Sequence, residues 1–359
     1  MRWGIIGWGT RTGIGTINWS FWRSGRFQSW LMPQHPQQLP LAGTLEPGIV
    51  PCALEDRAAL DRYLQTIDCL FITERPFFEQ SVHLFARARR RGLQIVCEPV
   101  AEWIPPAHVP WLGQVDVMWA PTMHTFPILR QVAREGRSHG IPLPWWKHIV
   151  GGRWGIEIDR WPARQRTTCQ RFLFLNGGGG CHGRKGLQVV LDAAAMAPRC
   201  PVLIRSQVPL GRTVPANVEV RIANEPDQRI LYEEGDMLLA PSLFEGFGYS
   251  LYEAQACGLP VITTDFAPMN ECGTEYLVSC TRGHWHDLNG RTFEYAQPYA
   301  ASLAIKMTRL LGTDISAASA RAYQRSRAWS IDNVVADMQT YVEAIRPTQP
   351  ADIYSRLMV

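Results

Sequence analysis

Two glutamates eight residues apart, Glu245 and Glu253, and a run of glycines that ends at a lysine have the clearest chemical capacity in this sequence. Glu245 stands in the stretch Ala240-Pro-Ser-Leu-Phe-Glu-Gly-Phe-Gly-Tyr-Ser-Leu-Tyr-Glu253, where an apolar strand ends and a helix opens near Gly248. Glu253 then falls about a turn and a half into that helix, on a side near the strand tips. Carboxylates so placed accept hydrogen bonds from paired hydroxyls, as on a sugar ring. The N–H groups of Gly248, Tyr249 and Ser250, at the start of the helix, suit an anion. Glutamates on a solvated helix face are the competing reading.

Upstream, the apolar run Phe172-Leu-Phe-Leu leads into Asn176, then Gly177, Gly178, Gly179 and Gly180, and then Cys-His-Gly-Arg-Lys-Gly186. Glycines between a strand and a helix let backbone N–H groups approach a phosphate with no Cβ in the way. Arg184 and Lys185, at the helix start, add full charges, so the turn suits a diphosphate. A loose surface loop is the alternative. The run is not an ATP-binding P-loop, because that motif needs Ser or Thr after the lysine and Gly186 follows Lys185.

The surrounding elements are legible from periodicity. In the first half, Trp3 to Trp8, Asp68 to Thr73, Leu93 to Cys97 and Asp116 to Ala120 read as short buried strands, and Ser81 to Arg91 and Pro127 to Gly136 as helices. From Pro142 to Arg171 the pattern dissolves into Pro, Trp, Gly and Arg, which marks a linker. Alternation then restarts with strands at 171–175, 202–205, 218–222, 236–240 and 260–264 and helices at 186–196, 227–234 and 248–257. A last amphipathic helix spans 331–345. Alternating strands and helices predict α/β domains with parallel sheets. We therefore expect a first domain over 1–147, a linker over 148–170, a second domain over 171–330, and a C-terminal helix and tail over 331–359.

A chain of 359 residues suits two domains, and 46% hydrophobic with 19% charged residues is ordinary for a globular protein. No stretch approaches the roughly 20 unbroken apolar residues of a membrane span, and the amino terminus has no signal-peptide core, so a cytoplasmic protein is expected. The nine cysteines form no Cys-x-x-Cys pair, which argues against a disulfide framework or a structural metal. The net charge is only +4, but the first 45 residues hold Arg2, Arg11, Arg23 and Arg26 and no acid. Trp3, Trp8, Trp19, Phe21, Trp22, Phe27 and Trp30 interleave with these arginines, and Trp145-Trp146-Lys147-His148 follows later. They either fill a core or form a surface that stacks bases and pairs phosphates.

Residues 171 to 345 resemble the donor domain of the GT-B glycosyltransferases, and most of all glycosyltransferase family four, with its Glu-x7-Glu signature. The resemblance rests on Pro-Ser-x-x-Glu245-Gly-Phe-Gly, Glu253-Ala-x-Ala-Cys-Gly-x-Pro-Val, Lys185-Gly186, Leu231-Tyr-Glu-Glu-Gly-Asp236, Thr264-Asp265, Glu271 and Trp329-Ser330. It implies two Rossmann-like α/β/α domains facing a central cleft, with the C-terminal helix crossing back to the first. It also implies transfer of a hexose from a UDP- or GDP-sugar, UDP favoured, to a hydroxyl acceptor with retention of anomeric configuration. Glu253 would bind the ribose, Glu245 the hexose and Lys185 the diphosphate, among donor contacts from Gly177 to Gly180, Arg184 and Gly246, Phe247, Gly248, Tyr249 and Ser250. The family's Gly-Arg pair at the end of the first donor strand is replaced here by Asn176-Gly177, which shifts the diphosphate grip to the glycines and Arg184.

The first half resembles the family in outline only. Arg11, Thr12, Gly13 and Gly15 fit the glycine loop on the acceptor side, and Glu98 and His124 are candidates beside the transferred sugar. No Asp-x-Asp metal motif occurs, so no metal and no cofactor besides the nucleotide sugar is expected. An arginine- and tryptophan-rich acceptor half makes a hydroxylated base in DNA one candidate acceptor, beside a saccharide or small molecule. Two rival classes are a binding-only nucleic-acid protein, which leaves the Glu245 and Glu253 motif unexplained, and an NAD-dependent oxidoreductase. The latter is suggested by Gly4-Ile-Ile-Gly-Trp-Gly but lacks an acid before Glu46.

Overall fold

Long apolar runs that alternate with helices bury strands on both faces, and the chain does this twice. A computed structural model describes residues 1–10, 13–33, 46–53, 55–76, 81–178, 183–288 and 290–345. The chain divides into two compact units, one from the described residues of Met1–Gly155, Asn289–Arg291 and Ile331–Val359, the other from Ile156–Leu288 and Thr292–Ser330.

The first unit runs β1 (Trp3–Ile6), α1 (Gly13–Arg23), β2 (Ser29–Pro33), β3 (Ile49–Cys52), α2 (Arg57–Gln65), β4 (Cys69–Thr73), α3 (Ser81–Arg90), β5 (Gln94–Glu98), β6 (Val117–Ala120), α4 (Thr125–Ser138) and β7 (Ile149–Gly151). Its seven strands form a parallel sheet in the order β3-β2-β1-β4-β5-β6-β7. Every residue of β1, β2, β4, β5 and β6 is buried, as in parallel sheets covered by helices on both faces. Each fully buried Leu, Ile or Phe there contributes about 1.5–3 kcal/mol.

The second unit runs β8 (Phe172–Gly177), α5 (Leu187–Met196), β9 (Val202–Ser206), β10 (Val218–Ile222), β11 (Met237–Ala240), α6 (Tyr249–Ala256), β12 (Val261–Thr264), β13 (Tyr276–Val278), β14 (Cys280–Leu288), β15 (Arg291–Pro298), α7 (Ala300–Leu310) and α8 (Ser316–Ser326). Its six-stranded parallel sheet has the order β10-β9-β8-β11-β12-β13, and β14 and β15 form a separate two-stranded ribbon. The final helix, α9 (Ile331–Ala344), belongs to the first unit, where Gln94 Nε2 donates to Ile345 O at 3.0 Å and Trp3 lies beside Glu343.

Two expectations change. The segment expected as a linker is structured: Ile149–Gly151 is the seventh strand of the first sheet, and the two units part between Gly155 and Ile156. The helix expected over 227–234 is a 3-10 turn, Gln228–Glu233.

Five of the seven aromatic residues near the amino terminus are core, while Trp8 and Trp22 are half-buried. Trp3, Phe21, Phe27 and Trp30 are at most 5% exposed and Trp19 is 9%. Trp30 Nε1 donates to Gly7 O at 2.9 Å, Trp19 Nε1 to Gly9 O at 3.2 Å and Asn18 Nδ2 to Trp8 O at 3.0 Å. Buried indoles need a partner for their N–H, and here they find it in the carbonyls of the loop after β1. They hold that loop and cannot stack on bases. The arginine-rich end of α3 is likewise paired: Arg89, 7% exposed, bonds Asp116, and Arg87 and Arg91 reach Asp61 at 2.6 and 3.5 Å.

Candidate functional site at the switch point of the second sheet

In an open parallel sheet a crevice forms outside the carboxyl ends of the strands where the strand order reverses. In the second unit that point lies between β8 and β11, and the glycine run leaves β8 while the Glu245 loop leaves β11. Gly177 closes β8 in the left-handed region, φ 54°, and Gly178 follows. Gly179 and Gly180 lie outside the described residues.

The returning loop is held against β11. A Cβ on Gly186, φ 78°, would stand 2.1 Å from Pro241 O, so only glycine allows the entry to α5 to cross this close. Leu243 N donates to Arg184 O at 2.7 Å, and Leu243 O accepts from Ala296 N of β15, also at 2.7 Å. Thr264 Oγ1 donates to Ser242 O at 2.7 Å, and Thr263 Oγ1 to Ala240 O at 2.9 Å. Two loops distant in sequence are thereby fixed side by side.

Glu245, 4% exposed, is the electrostatic centre of the arrangement. It accepts from Lys185 Nζ at 2.8 Å and from Ser242 Oγ at 2.9 Å, and the Arg184 guanidinium donates to its other oxygen. Burial by itself would raise its pKa, but the charges of Arg184 and Lys185 and their hydrogen bonds outweigh it and bring the carboxyl down to about 2. Burial also pulls Lys185 below the ordinary lysine value, with Glu245 opposing. Arg184 and Lys185, both expected at a diphosphate, thus converge on Glu245.

Glu253 is also buried, at 8% exposure, but its surroundings act the other way. Gly248, φ 87°, precedes α6, and the carboxyl sits in the helix's second turn. Burial raises it to about 7, against the Tyr232 hydrogen bond and the nearby charges of Arg160 and Lys185. Tyr232 Oη donates to Glu253 Oε2 at 2.5 Å. Phe247 serves the site through packing rather than contact: its ring, 3% exposed, stacks parallel on Tyr252 at 4.2 Å, and Tyr252 meets Trp329 at 4.5 Å. Gly246 lies in the same buried loop. Tyr249 and Ser250 open α6, where a helix leaves its N–H groups without intrahelical partners. Beside the Gly186 turn lies a cavity of about 560 Å³ that touches Asn176, Gly183, Leu243 and Arg212; neither glutamate lines it.

The candidates in the first half fall in the first unit. Glu98 ends β5, fully buried, and neither carboxylate oxygen has a partner among the described residues. Burial, and then the nearby Glu74, push its pKa well above the carboxylate range. His124 is half-buried at the residue before α4. Gly13 opens α1 with open space around it, while a Cβ on Gly15 would lie 1.9 Å from Thr10 O. Arg11 and Thr12 lie outside the described residues.

Among the described residues no group of three His, Cys, Asp or Glu could hold a metal ion, and no helix is long and apolar enough to cross a membrane. Sequence reasoning missed Ser242, Tyr232, Arg160, Trp161 and Arg166. Ser242 and Tyr232 stood within quoted motifs, and there they had no role.

Residues 179–283 match the family described as Glycosyl transferases group 1. Among solved structures, a glycosyltransferase from Rickettsia africae superposes with a TM-score of 0.65 at 13% identity, over 95% of this chain and 98% of that one. The sucrose-phosphate synthase of Thermosynechococcus elongatus gives 0.60 at 12%, over 96% and 98%. The pneumococcal O-GlcNAc transferase GtfA, solved with UDP and GlcNAc, gives 0.53 at 18% over 80% of this chain, which spans only 60% of GtfA. No curated protein matches the chain. The fold is that of the GT-B enzymes. The match to the group 1 glycosyl transferases falls on 105 of the 359 residues, all within the second unit.

Proposed function

We propose that the protein transfers a hexose from a nucleotide-diphosphate sugar, UDP-linked in preference to GDP-linked, to a hydroxyl acceptor with retention of anomeric configuration. The observation that carries the reading is the pair of buried glutamates at one switch point, Glu245 ionised between two cations and Glu253 poised near neutrality. GtfA, solved with UDP, supports a uridine donor. In this reading Glu253 accepts the ribose hydroxyls and Glu245 those of the hexose. Lys185, Arg184, the glycines from Gly177 and the first N–H groups of α6 hold the diphosphate. The bond from anomeric carbon to diphosphate oxygen breaks on the face where the acceptor oxygen bonds. The acceptor proton passes to the departing diphosphate, whose growing charge Lys185 and the helix N–H groups stabilise. No metal or further cofactor takes part. UDP- and GDP-sugars tested in thermal-shift and slow-hydrolysis assays should give a response to one nucleotide, lost in Glu253→Ala; silence across the panel overturns the reading.

The acceptor in this proposal is a saccharide, a small molecule or, on one observation, a hydroxylated base in DNA extruded into the active site. Arg130, Arg134 and Arg137 follow one face of α4, exposed, with Lys147 and the 42%-exposed Trp146 beyond them. None of these four cations is in an ion pair among the described residues, and Arg137 and Lys147 lie 4.8 and 5.0 Å from the Trp146 ring centroid. Affinity for duplex or single-stranded DNA that falls steeply with salt in a gel shift is the expected result. No salt-dependent binding leaves the saccharide and small-molecule acceptors.

A further inference from the structure

We propose that Tyr232 is a positioning residue of the donor site: its hydroxyl fixes one oxygen of Glu253 and so selects the ionised carboxylate that receives the nucleoside hydroxyls. This rests on the reading of Glu253 given above.

The geometry is a closed triangle. Tyr232, 2% exposed, lies in the 3-10 turn Gln228–Glu233 and donates to Glu253 Oε2 at 2.5 Å. Its ring meets Trp161 edge-on at 5.3 Å. Its carbonyl accepts from Arg166 Nη2 at 2.5 Å, and the same guanidinium donates through Nη1 to Cys257 O at the end of α6 and to Arg164 O at 2.7 Å. Cys257 N in turn donates to Glu253 O at 3.0 Å. Arg166, 3% exposed, therefore ties the turn that carries the phenol to the helix that carries the carboxylate. The distance between them is set by the fold and not by either side chain alone.

The chemistry follows from what a phenol can give. At neutral pH Tyr232 is a donor, and burial together with Glu253 keeps its proton on well above the ordinary tyrosine range. A donated O–H favours the carboxylate over the acid. It also occupies Oε2, and Oε1 accepts no hydrogen bond among the described residues, so one oxygen keeps its lone pairs for ligand hydroxyls. The other groups that face Glu253 are Arg160 and Lys185, which favour its charge, and Glu157, which opposes it; Cys257 lies on its own helix. Burial is the largest influence and pushes toward the acid, so the phenol stands between Glu253 and a state that cannot accept two ribose hydroxyls at once.

The full chain, Tyr232→Phe and Glu253→Gln are titrated with UDP and, in parallel, GDP by calorimetry from pH 6 to pH 9. Affinity for the nucleotide that binds should rise with pH through about 7 in the unaltered protein. Glu253→Gln should retain only the titration of the nucleotide's own phosphate. In Tyr232→Phe, which keeps the ring against Trp161, the rise should move up by roughly one pH unit. Affinity should then be about threefold to tenfold lower at pH 7 and within about twofold of the unaltered protein at pH 9. A Tyr232→Phe curve that coincides with the unaltered protein's, or is lower by one factor at every pH, overturns the inference and leaves the reading of Glu253 standing. A Glu253→Gln curve that keeps the full pH dependence overturns that reading, and the inference with it.

Discussion

The two parallel sheets bring carboxylates to their carboxyl ends under opposite conditions. At the switch point of the second, Glu245 is ringed by Arg184, Lys185 and Ser242 and stays ionised far below neutrality. In the first, Glu98 ends β5 with no donor to either oxygen among the described residues, and burial pushes its carboxyl well above the ordinary range. Both are buried at the end of a strand or the loop after it, so depth does not separate them. The difference lies in what returns to the strand tips: a glycine-lined loop with two cations in one unit, a loop pinned by indole N–H groups in the other. An architecture used twice yields an electrostatic site only where the connecting loop carries charge back over the sheet.

The largest test of that contrast is catalytic. Glu245→Gln removes the charge that Arg184 and Lys185 share, and the initial rate should fall about 100-fold or more. Glu98→Gln should stay within about threefold of the unaltered rate, because no charge partner depends on it; an equal loss in both variants breaks the comparison.

Next in size is the backbone. Gly186→Ala places a Cβ against Pro241 O at a left-handed φ and should cost about 2–4 kcal/mol in denaturant titrations, while Gly13→Ala, with open space, should be neutral or slightly stabilising.

The two second-unit glutamates also sharpen the comparison through pH. Glu245 has a folded value near 2, below its ordinary 4.5, so its share of stability is present above about 4.5 and is lost as pH falls toward 2. Glu253, raised from 4.5 to about 7, favours folding while protonated, and that share is lost as pH rises from 4.5 through 7. Stability from the pair should therefore peak near pH 5. Glu245→Gln should flatten the acid side of the curve and Glu253→Gln the neutral side, read as urea midpoints across pH.

The smallest effect belongs to Glu98. Its raised value means that it favours folding while protonated and that this share fades as pH rises. Glu98→Gln removes a carboxyl that is costly to ionise in place, and should gain about 1 kcal/mol at pH 9 and less at pH 6.

Much of this fold could be read from periodicity. Five of the six strands in the second sheet and the helices α3, α4, α5, α6 and α9 occur where apolar spacing puts them, within a few residues. β2, β3 and β7 escaped because short strands beside Pro and Trp carry no alternation that separates them from loop. The β14–β15 ribbon escaped as well; its inner face packs Phe293 and Trp285 on Phe244, and those partners lie some 40 or more residues away in the chain.

Glu245, Glu253 and Lys185 were legible as chemistry because type and spacing carry it: a carboxylate past a strand end, a second on the following helix, a cation after glycines. Their ionisation was not legible. That Glu245 lies near 2 and Glu253 near 7 depends on Arg184 reaching across 61 positions and Tyr232 across 21. The sequence by itself determined which carboxylates and cations stand near strand ends and roughly which elements would hold them, since local spacing and propensity act over a few residues. Only the tertiary structure decided which cation meets which carboxylate and which indole holds a loop, because desolvation and charge pairing depend on distance in space between segments far apart in the chain.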